Sequence, residues 1–193
     1  RDWEGAIQHS STILREDVAN PFALLVSAKS YSYLGNWDLS SIFWDRLSRA
    51  RLLNSEELFE FARTSYNGRK FSLVLRINED ISKRGEIVSE KILELCVRSH
   101  YNLRDDDSCI IWSRKLLDLE PGNKIGLRHL SRSLFRLGRL LEAIPIMEEL
   151  CRIQPSSVDY WESLIETQLM MDDVLGAKES RRLVRELVEK SPD

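Results

Sequence analysis

The sequence is poor in the residues that break or cross-link a chain. Only 8 Gly and 5 Pro occur among 193 residues, so long irregular loops are not expected. Three Cys (Cys96, Cys109 and Cys151) are odd in number, and no secretory leader is visible. Reduced thiols and a cytoplasmic setting are therefore expected, rather than a disulfide framework. No apolar run approaches the roughly 18 residues of a membrane span. Neither sign of charge prevails: 28 Lys and Arg against 31 Asp and Glu leave a net charge of −3, a poor match to nucleic-acid binding. Enzyme signatures are also missing. His9, His100 and His129 form no His-x-x-x-His pair and no Cys/His zinc spacing. There is no Gly-x-x-x-x-Gly-Lys phosphate loop and no Gly-x-Ser-x-Gly elbow. The residues thus offer no catalytic group, no cofactor site and no metal site.

What the chain does have is a period. Pro121 and Pro155 stand 34 residues apart, each opening a similar stretch. A small residue recurs at Ala6, Ser40, Val74, Cys109, Ala143 and Ala177, at intervals of 34, 34, 35, 34 and 34. Such a residue is needed where two helices cross closely, and Val74 is the bulky exception. A repeat of this length marks a unit that buries its apolar face only by stacking on its neighbours.

Local signals place the helices. Asp2 caps a helix running to about Arg15, and Pro21 opens one that ends near Leu34. Gly35-Asn36 turns the chain, and a third helix covers Trp37 to about Ala50. Asn54 and Glu57 form a capping box for a helix to about Tyr66. Asn67-Gly68 is the next turn, before a helix from Lys70 to about Lys83. The single 35-residue interval points to an extra residue near Arg84-Gly85-Glu86. Helices then follow at Ser89 to Leu103, Ser108 to Leu119, Asn123 to Leu137, Leu140 to Ile153, Val158 to Met171 and Val174 to Lys190. The acidic run Asp105-Asp106-Asp107 reads as capping and helix-dipole compensation rather than a metal loop. Pro145 costs the ninth of these helices one hydrogen bond or delays its start. Ser156-Ser157 caps the last pair. Trp112, Trp161, Phe43 and Met147 fall on apolar faces, and Cys96 and Cys109 are expected as inert core thiols.

Leu24, Ala28, Tyr31, Gly35, Ser40 and Leu47 set a pattern that returns in Leu127, Leu130, Leu134, Gly138, Ala143, Leu150 and Pro155. Trp161, Leu164, Ala177 and Val184 follow it more loosely. In period and pattern the whole chain resembles the tetratricopeptide repeat family. The resemblance implies an all-α fold, an α-solenoid of helix–turn–helix repeats coiled as a right-handed superhelix. It implies one array over residues 1–193. Residues 1–20 would form the second helix of a partial repeat, with repeats at 21–54, 55–88, 89–122 and 123–156, and 157–193 as the last repeat with a capping helix. An opening inside a repeat leads to the expectation of a longer parent protein, and of self-association through the exposed N-terminal repeat.

One pattern is left over once packing is assigned. Eleven residues before successive small-residue slots stand Lys29, Arg63, Arg98, Arg132 and Glu166. In the family the first helices line a concave groove, so the resemblance implies a ladder of positive charge along it. Arg128 and Arg136 share the Arg132 helix face. Asn67 and Asn102 each stand four residues after a basic slot, while Tyr66, Tyr101 and Phe135 stand three after. The set Lys29, Arg63, Asn67, Arg98, Asn102, Arg128, Arg132 and Arg136 resembles the chemistry with which family members hold a peptide's carboxylate, although Arg replaces the family's Lys-then-Asn pair. Asp159, Glu162 and Glu166 on the last first helix are placed to neutralise Arg128 and Arg132. The ladder is therefore either a ligand site or a solvated, self-paired face. The leading expectation is a non-enzymatic scaffold holding an acidic protein or peptide partner in this groove. An accessory repeat region of a larger enzyme, such as a glycosyltransferase, is the alternative. Reading of RNA by a related 35-residue helical repeat fits less well, given the dominant period of 34 and the acidic balance.

Overall fold

A computed structural model describes residues 2–189, apart from the side chains of 187–189. The described residues form α1 (Trp3–Glu16), α2 (Pro21–Tyr33), α3 (Trp37–Ala50), α4 (Ser55–Asn67), α5 (Phe71–Lys83), α6 (Glu90–Asn102), α7 (Asp106–Leu119), α8 (Lys124–Arg136), α9 (Leu140–Ile153), α10 (Val158–Met170) and α11 (Val174–Glu189), with no strand among them. Lys190, expected in the last helix, lies outside the described residues. The helices group into two compact units, Arg1–Ser99 and His100–Asp193. In the first, α1 to α5 pack each on the next around Leu24, Trp44, Leu47, Phe61, Val74 and Ile77. In the second, α7 to α11 do the same around Ile110, Leu130, Leu134, Met147, Cys151 and Leu164.

The sequence period is the structural period. The second helix of each pair starts at Trp3, Trp37, Phe71, Asp106, Leu140 and Val174, intervals of 34, 34, 35, 34 and 34. Ser40, Val74, Cys109, Ala143 and Ala177 are all within 1% of complete burial, so the bulky Val74 occupies its slot as fully as the rest. Ser40 uses its hydroxyl there, donating to Ala28 O at 2.7 Å. The extra residue sits in the connection from Arg84 to Ser89, six residues long where the link from Arg51 to Asn54 has four.

Capping follows residue chemistry. Asp2, Asn20, Asn36, Asn54, Asp105 and Asn123 each accept a backbone N–H from the first turn of the helix they precede. The starts of α7 and α10 depart from expectation, and α5, α6 and α8 each begin one residue later than read. Ser157 holds the N-cap position of α10 without a side-chain bond. Helix α7 begins at Asp106 rather than Ser108, because Asp105 is its cap and Asp106 is already helical. Helix α9 does not start late; Pro145 lies inside it, leaving one carbonyl without its usual donor.

The turn inside each pair places one residue in the left-handed region: Gly35 (φ 73°), Arg69 (57°), Arg104 (61°), Gly138 (71°) and Asp172 (59°). Glycine takes this conformation without strain, whereas a side chain costs on the order of 1 kcal/mol. A Cβ at Gly138 would meet no atom within 4 Å, so its requirement is conformational, not steric. Arg104→Gly is expected to raise unfolding free energy by about 0.5–1 kcal/mol and Gly138→Ala to lower it by about 1 kcal/mol, measured by urea denaturation.

One buried charge ties the start of α4 to the chain before it. Glu57 is only 6% exposed, and Arg51 donates to both its carboxylate oxygens at 2.6 and 2.8 Å. Glu57 also completes the capping box, accepting from Asn54 N at 3.1 Å while its own N–H bonds Asn54 Oδ1 at 2.9 Å. The Arg51 guanidinium outweighs burial and holds the Glu57 carboxyl below the usual range, with help from the Asn54 N–H and Lys29. The folded carboxyl is more acidic than the unfolded one. Its contribution is therefore present above the ordinary glutamate range and lost as pH falls through the lowered value. Glu57→Gln should cost about 1–3 kcal/mol at neutral pH and should flatten the acid limb of a Tm-against-pH curve.

Candidate interaction face of helix α8

Helix α8 turns Leu127, Leu130 and Leu134 inward and buries them. Arg128, Arg132 and Arg136, four residues apart, share another face. Their surroundings differ. Arg136 is 19% exposed at its side chain and forms an ion pair with Asp106. It also reaches Tyr101 O at 3.5 Å and lies 3.9 Å over the Tyr101 ring. Asp106 thus serves α8 as well as the first turn of its own helix. Arg132 is exposed and makes no hydrogen bond or ion pair among the described residues. Arg128 is half-buried, and its Nε is shielded from solvent with no acceptor.

Beside Arg132 the surface folds into a cleft of about 160 Å³, lined by Tyr101, Arg132, Phe135, Arg136, Met147, Ser163 and Glu166. The aromatic rings of Tyr101 and Phe135 and the thioether of Met147 give it apolar walls. Ser163 turns its hydroxyl back to Asp159 O at 2.8 Å. Arg132 and Glu166 line the same space, 34 residues apart, yet form no ion pair with one another. Asp159, Glu162 and Glu166 pair with neither Arg128 nor Arg132 among the described residues. Residues expected to quench the pair leave both guanidinium groups unspent.

In the first unit Arg63 is drawn into a local pair. Arg63 donates Nε (3.3 Å) and Nη2 to Glu60, one turn earlier, and touches Ser32 Oγ at 3.4 Å. Lys29 is half-buried and close enough to Glu57 to favour its carboxylate. Asn67 closes α4 and is exposed beside a surface hollow that Gly35, Asn36 and Arg69 also line. Tyr66 packs its ring 5.5 Å from that of Phe71. On α6, Arg98 is half-buried and Asn102 exposed. Sequence reading passed over Ser163, Met147 and Asp106 as neighbours of the arginines. The last has a signal in the sequence, because it lies one repeat less one helical turn before Arg136.

The remaining reactive side chains are structural. Met147 is buried, Trp161 is tied by Nε1 to Pro155 O at 2.8 Å, Trp112 lies under Lys115 at 4.1 Å, and Phe43 stacks on Tyr31 at 5.5 Å. All three cysteines are buried and free. Burial pushes the Cys96 and Cys151 thiols up to about 12 and raises Cys109 as well, which keeps them un-ionised and unreactive at neutral pH. Among the described residues no three His, Cys, Asp or Glu side chains converge to hold a metal ion, and no helix is long and apolar enough to cross a membrane.

No family model matches the chain, and no curated protein matches it. Solved structures do. MamA of AMB-1 has a TM-score of 0.72 at 15% identity, over 91% of this chain and 96% of that one. YrrB, described as a TPR protein with an unusual peptide-binding site, has a TM-score of 0.71 at 11% identity, over 92% of this chain and 91% of that one. MamA (residues 41 to the end) from Desulfovibrio magneticus RS-1 has a TM-score of 0.69 at 13% identity, over 86% of this chain and 98% of that one. At such identities the likeness is one of fold.

The division between spent and unspent arginines is measurable. Arg136→Gln leaves the half-buried Asp106 without its partner and should cost about 2–3 kcal/mol, whereas Arg132→Gln should change stability by less than about 0.5 kcal/mol. Parallel denaturant titrations of the two variants check this.

Proposed function

We propose that this chain, whose fold is that of the tetratricopeptide repeat, is a non-enzymatic interaction module that holds an acidic segment of a partner protein against α8. The observation that carries the reading is the state of Arg128 and Arg132. They sit one turn apart, both without an acceptor among the described residues, while Arg63 on α4 and Arg136 at the end of α8 are paired with Glu60 and Asp106. The exposed Arg132 guanidinium keeps its donors turned to the surface, and a carboxylate supplied from outside would pair with them. Arg suits this task because its planar fork grips a carboxylate through two parallel bonds.

The neighbouring cleft adds selectivity. Its volume of about 160 Å³ is that of one side chain, and its rim pairs the donor Arg132 with the acceptor Glu166. An extended peptide offers both a carbonyl and an N–H there, with one apolar side chain between Tyr101 and Phe135. The peptide-binding site named for YrrB supports the same class of ligand on this fold. The partner thus combines an apolar anchor with an adjacent carboxylate.

An array of acidic and neutral twelve-residue peptides tests the reading. Acidic peptides that carry one aromatic or aliphatic anchor should be retained in a salt-sensitive way. Arg128→Glu/Arg132→Glu should weaken them at least tenfold, and Arg128→Gln/Arg132→Gln by several-fold, with helical circular dichroism unchanged. Equal retention by wild type and both variants would overturn the proposal.

A further inference from the structure

The outer face of α11 departs from the repeat in one respect. Counting in steps of 34, three lines run through the second helices of the second unit: Ile110, Ile144 and Lys178; Ser113, Met147 and Arg181; Leu117, Cys151 and Arg185. In α7 and α9 all six members are buried or half-buried. Met147 shows what covers them, since Thr167 of α10 donates to its sulfur at 3.3 Å. In α11 the same three places hold cations, and all three are exposed.

Among the described residues these cations are not neutralised locally. Among the described side chains of the helix the acids are Glu179 and Glu186, and both are engaged by Arg182, at 2.5 and 3.9 Å. Lys178, Arg181 and Arg185 make no hydrogen bond or ion pair among the described residues. They lie three and four residues apart, a spacing at which like charges repel. Ala177 and Ser180, buried on the face about 100° round the helix, fix the direction in which they project. Together with Arg182 and Glu186 they surround a surface hollow of about 410 Å³.

We propose that this face docks an acidic helix from a partner protein, laid on α11 in the way α10 lies on α9. An apolar helix there would bury three unpaired cations at a cost of several kcal/mol. A helix with carboxylates at three- and four-residue intervals would pair each of them and relieve their mutual repulsion. The site is separate from α8 and uses none of its residues.

The probe is a synthetic helical peptide of sixteen residues with Glu at every third or fourth position. Binding should weaken at least tenfold in Lys178→Ser/Arg181→Ser/Arg185→Ser and remain within twofold in Arg128→Gln/Arg132→Gln. Because all three triple-variant positions are exposed, the fold should survive, as circular dichroism verifies. Hydrogen exchange should show protection of α11 on binding. A triple variant that binds as well as wild type overturns the proposal, and so does protection confined to α8. Vesicles containing phosphatidylserine provide the other arm: binding to them and not to the peptide would assign the face to a membrane and also overturn it.

Discussion

The structure depends on the closeness with which paired helices cross. At each crossing a single side chain lies between two backbones, and the space admits about a methyl or a hydroxymethyl group. Ser40, Cys109, Ala143 and Ala177 fit it directly. Val74 is a larger side chain in the same slot and is buried as completely. With the crossing fixed, the helices' apolar stripes face one another, and the arginines of α8 have one direction left to point. The proposed interaction face is what the crossing geometry leaves uncovered.

Packing of this kind is short in sequence range. From α1 to α5 and from α7 to α11 each helix packs on its neighbour in the chain, and each unit has an apolar cluster of its own. Stability in such an arrangement approximates a sum of unit and nearest-neighbour terms rather than one cooperative core. Polar anchors supplement the apolar ones. The Arg51–Glu57 fork, the Ser10–Ser27 hydroxyl pair at 2.8 Å and the bond from Ser180 to Gln168 at 3.0 Å each join a specific pair of elements. Such contacts help define which surfaces meet, since a slipped register would strand them.

The period, the slots and most caps were legible in the sequence because they are local or strictly periodic. Asn54 with Glu57 is a capping box within four residues, and Ala143 and Ala177 declare themselves by spacing alone. The fate of the basic ladder was less legible. Lys29, Arg63, Arg98 and Arg132 are equivalent by counting, yet their surroundings are set by acids at non-equivalent places. Glu60 captures Arg63 from one turn away, a pairing that the sequence did display. Asp106 captures Arg136 across 30 residues, although its sequence neighbourhood points only to its own helix start. The cleft beside Arg132 needed a third helix, because Ser163 and Glu166 line it from α10.

The six-residue link between α5 and α6 has an implication for how such a chain tolerates change in length. One added residue there displaces every later slot by the same amount, so Cys109, Ala143 and Ala177 remain in phase with one another. The same insertion within a helix would rotate all that follows by about 100° and swing the next slot residue out of its crossing. Length variation among descendants of this sequence should therefore collect at the links between repeats, and the helices should be conserved in length even where their residues drift.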